Sequence, residues 1–158
     1  MRKFAVAKGF EDKEVNLPVR ATKHAAGYDF EAVEDIVIPS IWKQILSGKV
    51  LQGIKPELVH TGIKAQMESD ESLKLFNRSS NPKLGLILAN GVGVVDSDYF
   101  ENPGNDGEIM FAFFNFWPKD VLVSKGQKIG QGVFQKFLLT DDDKTTGIRV
   151  GGFGSTGK

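Results

Sequence analysis

Apolar and β-branched residues along this chain come in short runs, and Gly, Pro, Asn and Asp separate them. Runs at 3–8, 35–38, 58–67, 73–77 and 84–88 predict strands, as do those at 108–116, 120–123 and 132–139. Phe111 and Phe113 load one of these with large rings, which a pleated, half-buried surface accommodates well. Most of the 12 Phe are then core residues. Many short strands at this spacing predict an all-β fold, a jelly-roll-like distorted barrel. The spacing of Ile41, Trp42, Ile45 and Leu46 predicts one short helix over 41–47, with Ser40 as N-cap and Gly48 as the stop. A surface helix docked on the barrel is the expectation. An insert that docks a partner is the alternative.

The bulk numbers narrow the class. A chain of 158 residues predicts one domain that buries roughly 70% of its unfolded surface. Twenty basic residues against twenty acidic ones leave no net charge, so no polyanion-binding field is expected, and any phosphate site is local. Without cysteine there is neither a disulfide framework nor a thiolate metal site. His24 and His60 are too few and too far apart for a histidine zinc site. No apolar run approaches the ~20 residues needed to cross a bilayer. Met1-Arg2-Lys3 leads into strand-like sequence rather than a signal peptide, so a cytoplasmic protein is expected, without direct nucleic-acid or membrane partners.

The richest chemistry lies at 149–158, which reads R-V-G-G-F-G-S-T-G-K. Glycines let backbone amides approach phosphate oxygens, and Ser155 and Thr156 add donors. Arg149 suits a bidentate grip on phosphate, and Phe153 suits a base face. Such a tail is expected to be mobile until a ligand orders it; an ordinary disordered Gly/Ser tail is the alternative. Residues 152–158 also fit G-x-x-x-x-G-K, but a P-loop needs a strand before, a helix after and Ser/Thr beyond the lysine. That reading is rejected.

Four other segments carry weaker signals. Residues 90–99, N-G-V-G-V-V-D-S-D-Y, lead into a turn-rich stretch, predicting a β-hairpin with Asp96 at its mouth and Tyr99 beyond. A hairpin mouth offers backbone groups that can read the edge of a base; plain turn chemistry is the alternative for Asp96 and Asp98. Residues 76–82 end a strand, with Arg78, Ser79 and Ser80 opening a turn or short helix whose free amides face an anion, or an ordinary capped turn. Residues 125–132 read as a turn followed by a strand, with Gln131 as a potential amide donor or a plain strand residue. Residues 25–29 read as a tight turn closed by Asp29.

In order and company these segments resemble the five motifs of the trimeric dUTPases. A-G-Y-D at 26–29, R-S-S at 78–80 and G-V-V-D-S-D-Y at 93–99 are similar to the first three. G-Q-K-I-G-Q at 126–131 and R-V-G-G-F-G-S-T-G at 149–157 are similar to the fourth and fifth. The resemblance implies a homotrimer with sites at subunit boundaries, and a division into a barrel domain at 1–148 and a mobile lid at 149–158 that reaches a neighbouring subunit. It implies Mg2+-dependent hydrolysis of dUTP to dUMP and pyrophosphate, limiting uracil in DNA. Asp96 would activate the attacking water, and Tyr99 would pack under the deoxyribose and exclude a 2′-hydroxyl. Asn90, Gly93 and backbone near Met110 would read uracil. Arg78, Ser79, Ser80, Gln131, Arg149, Gly154, Ser155 and Thr156 would hold the phosphates. Asp29 would act on the metal through water, and Phe153 would close over the base.

Phosphoryl transfer asks chiefly for positioning and charge neutralisation, which this set supplies. The chain departs from the family in a longer turn after Tyr99, an insert at about 40–56, and Gly130 in place of alanine. Two other activities stay open. One is a dCTP deaminase on the same fold. The other is a nucleotide-gated regulatory protein that binds a repressor through the insert.

Overall fold

The computed structural model describes residues 1–48 and 53–149. Its strands are β1 (Lys3–Val6), β2 (Val19–Arg20), β3 (Tyr28–Glu31), β4 (Ile36–Ile38), β5 (Glu57–Gln66) and β6 (Glu71–Asn77). After these come β7 (Leu86–Leu88), β8 (Gly93–Asp96), β9 (Ile109–Asn115), β10 (Val121–Val123) and β11 (Lys128–Lys136). One sheet runs β1-β5-β9-β7, a second runs β2-β3-β11-β6-β8, and β10 pairs with β4. Every strand ladder is antiparallel.

Strand period sets the core. Along β9, Ile109, Phe111 and Phe113 point inward and are buried, while Met110, Ala112 and Phe114 on the other face are partly exposed. Phe30 from the other large sheet meets Phe111 at 5.6 Å between ring centres, and Phe111 stacks on Phe113 at 6.3 Å. Ile63, Leu73, Ile109 and Ile129 complete a dry interior. Asn115, the polar end of β9, is fully buried but satisfied: it donates to the carbonyls of Ile38 and Lys119 and accepts from the Trp117 amide.

The helix α1 (Ile41–Leu46) forms where predicted, and Ser40 caps it through the Trp42 amide at 3.3 Å. It docks by its first turn only. Ile41 is buried, Trp42 is half exposed with its indole N–H on the Phe116 carbonyl, and Leu46 is 87% exposed. The four apolar residues therefore do not share one buried face.

Three expectations are corrected. Residues 25–29 are not simply a turn, because Tyr28 and Asp29 open β3, laced on both sides by β2 and β11. The strand expected at 132–139 starts four residues earlier, at Lys128, and stops at Lys136; Leu138 is 96% exposed. Its glycines hid that start. Gly130 and Gly132 lie within β11 because aromatic rings occupy the space a side chain would need; a Cβ on Gly130 would lie 2.0 Å from Phe111 Cε1, and one on Gly132 2.8 Å from Phe30 Cε2. Gly130→Ala is therefore expected to destabilise the fold by ~1–3 kcal/mol through overpacking, read as a lower denaturant midpoint. The third correction concerns the hairpin: β8 pairs with β6 while β9 pairs with β5 and β7, so no ladder joins β8 to β9. The stretch between them is long enough to carry the chain from one sheet to the other.

Candidate active site

Two constellations arise at different places on the same chain. The first is built by three neighbouring strands. Asp29 on β3 lies opposite Gln131 on β11, and Gln131 lies opposite Phe76 near the end of β6. Arg78, just beyond β6, approaches the Asp29 carboxylate at 3.6 Å and donates to the Lys128 carbonyl at 3.2 Å. Lys128 Nζ holds the other Asp29 oxygen at 2.9 Å. Gly27 approaches so closely that a Cβ there would sit 2.4 Å from Gln131 Oε1. One carboxylate with two cations leaves local positive charge, which suits a phosphate chain.

Ser79 and Ser80 are exposed and precede a 3-10 turn at Asn81–Leu84, but the Ser80 side chain makes no cap bond. Asn81 does the anchoring instead. Its amide donates to Asn77 Oδ1 and to the Ile129 carbonyl, both at 2.7 Å, tying this turn to β11.

The second constellation is a cleft of about 280 Å3 in the splay between β8 and β9. Asn90, Gly93, Asp96, Tyr99, Met110 and Arg149 line it, so the base- and sugar-side residues expected from the sequence lie together there, apart from Phe153, which falls outside the described residues. β8 is the outer strand of its sheet, and β7 pairs with β9 only at 113–115, so β8 and the start of β9 keep backbone edges for a ligand. Asp96 stands exposed at the end of β8, and Tyr99 is buried in the 3-10 turn at Ser97–Tyr99. The Tyr99 hydroxyl donates to the Glu108 carbonyl at 3.0 Å and accepts from Asn105 Nδ2 at 2.7 Å. Burial pushes the Tyr99 phenol above its ordinary pKa, and the Asn105 hydrogen bond works against that shift. Arg149 bridges both carboxylates, donating to Asp98 at 2.7 Å and to Asp96, with its guanidinium 5.8 Å from the Tyr99 ring centre. The hydrogen bond to Asp98 is the main cause that raises the Arg149 pKa.

Within one chain the carboxylate of the cleft and the cationic cluster stand apart. Asp96 is opposite Ser72, and Arg78 follows six residues later, about 20 Å away at ~3.3 Å per residue. Sequence reasoning missed Lys128, Asn81, Asp98, Asn105 and Glu108. Lys128 and Asp98 stood inside motifs already singled out. Phe153, Gly154, Ser155 and Thr156 lie outside the described residues, as does the expectation that they form a mobile lid.

Comparison with known proteins decides the lineage. The dUTPase family model matches residues 13–157. The chain is 41% identical over 160 residues to a deoxyuridine 5′-triphosphate nucleotidohydrolase of Lactococcus lactis, covering 99% of this chain and 98% of that one. This chain belongs to the dUTPase family. A dUTPase crystal structure from Streptococcus mutans superposes with a TM-score of 0.75 at 40% identity, over 87% of this chain and 98% of that one. A dUTPase from phage phi11 of S. aureus, 13% identical with a TM-score of 0.68 over 94% of this chain and 97% of that one, shares the fold.

Among the described residues of this dUTPase-family chain, no group of three or more His, Asp, Glu or Cys side chains gathers to hold a metal. Asp29, the one expected metal contact, is already flanked by Lys128 and Arg78. That donor set fits an ion that arrives hydrated on a polyphosphate, not one caged by protein. No helix among the described residues is long and apolar enough to cross a membrane.

Proposed function

We propose that this chain hydrolyses dUTP to dUMP and pyrophosphate as a homotrimer, each site joining the cleft of one copy to the Asp29–Arg78–Lys128 cluster of another. The observation that carries this reading is the separation just described: a base- and sugar-sized cleft whose rim carboxylate, Asp96, stands ~20 Å along β6 from the cationic cluster. Sites assembled from two copies bring the halves together.

In this mechanism Asp96 takes a proton from water as its oxygen bonds to the α-phosphorus, and the bond from that phosphorus to the bridging oxygen breaks to release pyrophosphate. Arg78 and Lys128 neutralise the leaving phosphates, with Ser79, Ser80 and Gln131 donating to them. The triphosphate competes with Asp96 and Asp98 for Arg149; once the guanidinium turns to phosphate, Asp96 is released to act as base. Asn90, Gly93 and the backbone at Met110 read uracil, whose replacement by cytosine would leave buried polar groups mispaired. Asp29, through water, and the phosphates would hold Mg2+, which would supply further charge neutralisation there. In the trimer residues 149–158 would leave their own cleft, where Arg149 meets Asp96 and Asp98, and reach a neighbouring copy as a lid, with Phe153 over the base and Gly154, Ser155 and Thr156 on the phosphates. The enzyme works in the cytoplasm. The exposed Trp42 and Leu46 of α1 favour the insert at 40–56 as a second, protein-binding surface on the same enzyme.

A nucleotide panel tests the activity. Pyrophosphate release is expected from dUTP with Mg2+, with little from dCTP, dTTP or UTP, and loss of release in EDTA. Ammonia release from dCTP would instead identify a deaminase.

A further inference from the structure

The turn after Tyr99 is tied together by its own side chains. Asn102 is 5% exposed, and its amide donates to the Tyr99 carbonyl at 2.8 Å while its oxygen accepts from the Gly104 amide at 2.9 Å and the Asn105 amide at 3.3 Å. Asp106 takes a left-handed φ of 58° and accepts from Lys64 Nζ at 2.7 Å and the Lys8 amide at 2.8 Å. Gly107 follows at φ 81°, where a Cβ would lie 2.6 Å from the Tyr99 carbonyl oxygen.

Two sides of Asn105 do different things. Its oxygen serves the turn, accepting from Asn102 Nδ2 at 2.9 Å and the Gly107 amide at 3.2 Å. Its amide nitrogen serves Tyr99, donating to the phenol at 2.7 Å and to the Glu108 carbonyl at 3.2 Å. That carbonyl is the acceptor of the Tyr99 hydroxyl. Glu108 is fixed in turn, because its buried carboxylate takes the Gly62 amide at 3.1 Å and His60 Nδ1 at 3.0 Å at the β5 bulge. The ring that the proposed function sets beneath the sugar is thus held at its far end by a closed triangle of hydrogen bonds.

We infer that Asn105 is a positioning residue for sugar selection, acting through the Tyr99 hydroxyl to hold the ring where a 2′-hydroxyl would collide. This rests on the reading of the chain as a dUTP hydrolase. A pocket rejects an added hydroxyl poorly by shape alone, so rejection here depends on a wall that does not yield. An unanchored ring yields.

The test uses the full chain with Mg2+ and the ratio of kcat/KM for dUTP to that for UTP. Asn105→Asp keeps the turn-facing oxygen but puts an acceptor where the donor to Tyr99 stood, and the phenol's single proton cannot hold both that acceptor and the Glu108 carbonyl; Tm is expected to stay within a few degrees while the ratio falls by ~10-fold or more, mainly through faster use of UTP. Tyr99→Phe is expected to lower the ratio similarly. The double variant is expected to match either single one, because both remove the same anchor. An unchanged ratio in Asn105→Asp, or additive losses in the double variant, overturns the inference. Should Asn105→Asp fail to fold, Tyr99→Phe decides alone: wild-type selectivity there refutes the anchor. If the unaltered chain releases no pyrophosphate from dUTP, the parent reading falls and the inference with it; robust dUTP turnover with unmoved selectivity sinks the inference only.

Discussion

Asp96→Asn is expected to lower dUTP turnover by ~10³-fold or more while dUTP still binds, since a positioned general base is worth about 10²–10⁴. Asparagine preserves the shape of the side chain at the cleft rim and cannot take the proton from water. The substitution also weakens the contact with Arg149, which keeps Asp98 as a partner. Binding therefore survives or tightens, because Arg149 is more easily drawn to phosphate. Pyrophosphate release gives the rate and calorimetry gives the affinity. A variant with turnover within about threefold of the parent would remove Asp96 from the role of base.

Mixing two inactive variants is expected to restore activity. Arg78→Ala is expected to impair the phosphate cluster, and Asp96→Asn the base. In one chain these residues stand about 20 Å apart along β6, too far to serve one nucleotide's α-phosphorus. If each site takes Arg78 from one copy and Asp96 from the next, random co-refolding leaves roughly one site in four with both groups intact. Activity near a quarter of the parent's is then expected from the mixture, and almost none from either variant alone. A mixture as inactive as its components would show that one copy supplies both groups. Light scattering of the same sample gives the number of copies.

The fold class was legible because strand-forming runs separated by turn residues leave little else to build. The alternation of β9 placed Phe111 and Phe113 inside. The helix was legible in its cap and its stop, but its apolar spacing overstated burial, since Ile41 alone of its residues is buried. β11 was misread because glycines at 130 and 132 look like turn residues; they are there to admit the rings of Phe111 and Phe30. The hairpin was misread for a different reason. Two strands adjacent in sequence usually pair, but a connection as long as Phe100–Gly107 lets them join different sheets. At the site, Asp29, Asp96 and Tyr99 stood out because they lie in compact motifs. Asn81, Asn105 and Glu108 did not, because their work is done by side-chain bonds to backbone partners that no local pattern announces.

Gly130 and Phe111 touch across the interior, and each sits beside a different half of the active site. Gly130 precedes Gln131 in the cluster proposed to face phosphate, and Phe111 follows Met110 in the wall of the cleft. Adjusting the site and refilling the interior are thus one problem for this molecule. A bulkier residue at either position levers the cleft wall against the Asp29–Arg78–Lys128 cluster. Selection for a sturdier interior would shift substrate affinity along with melting temperature, and engineering for one property has to be scored on both.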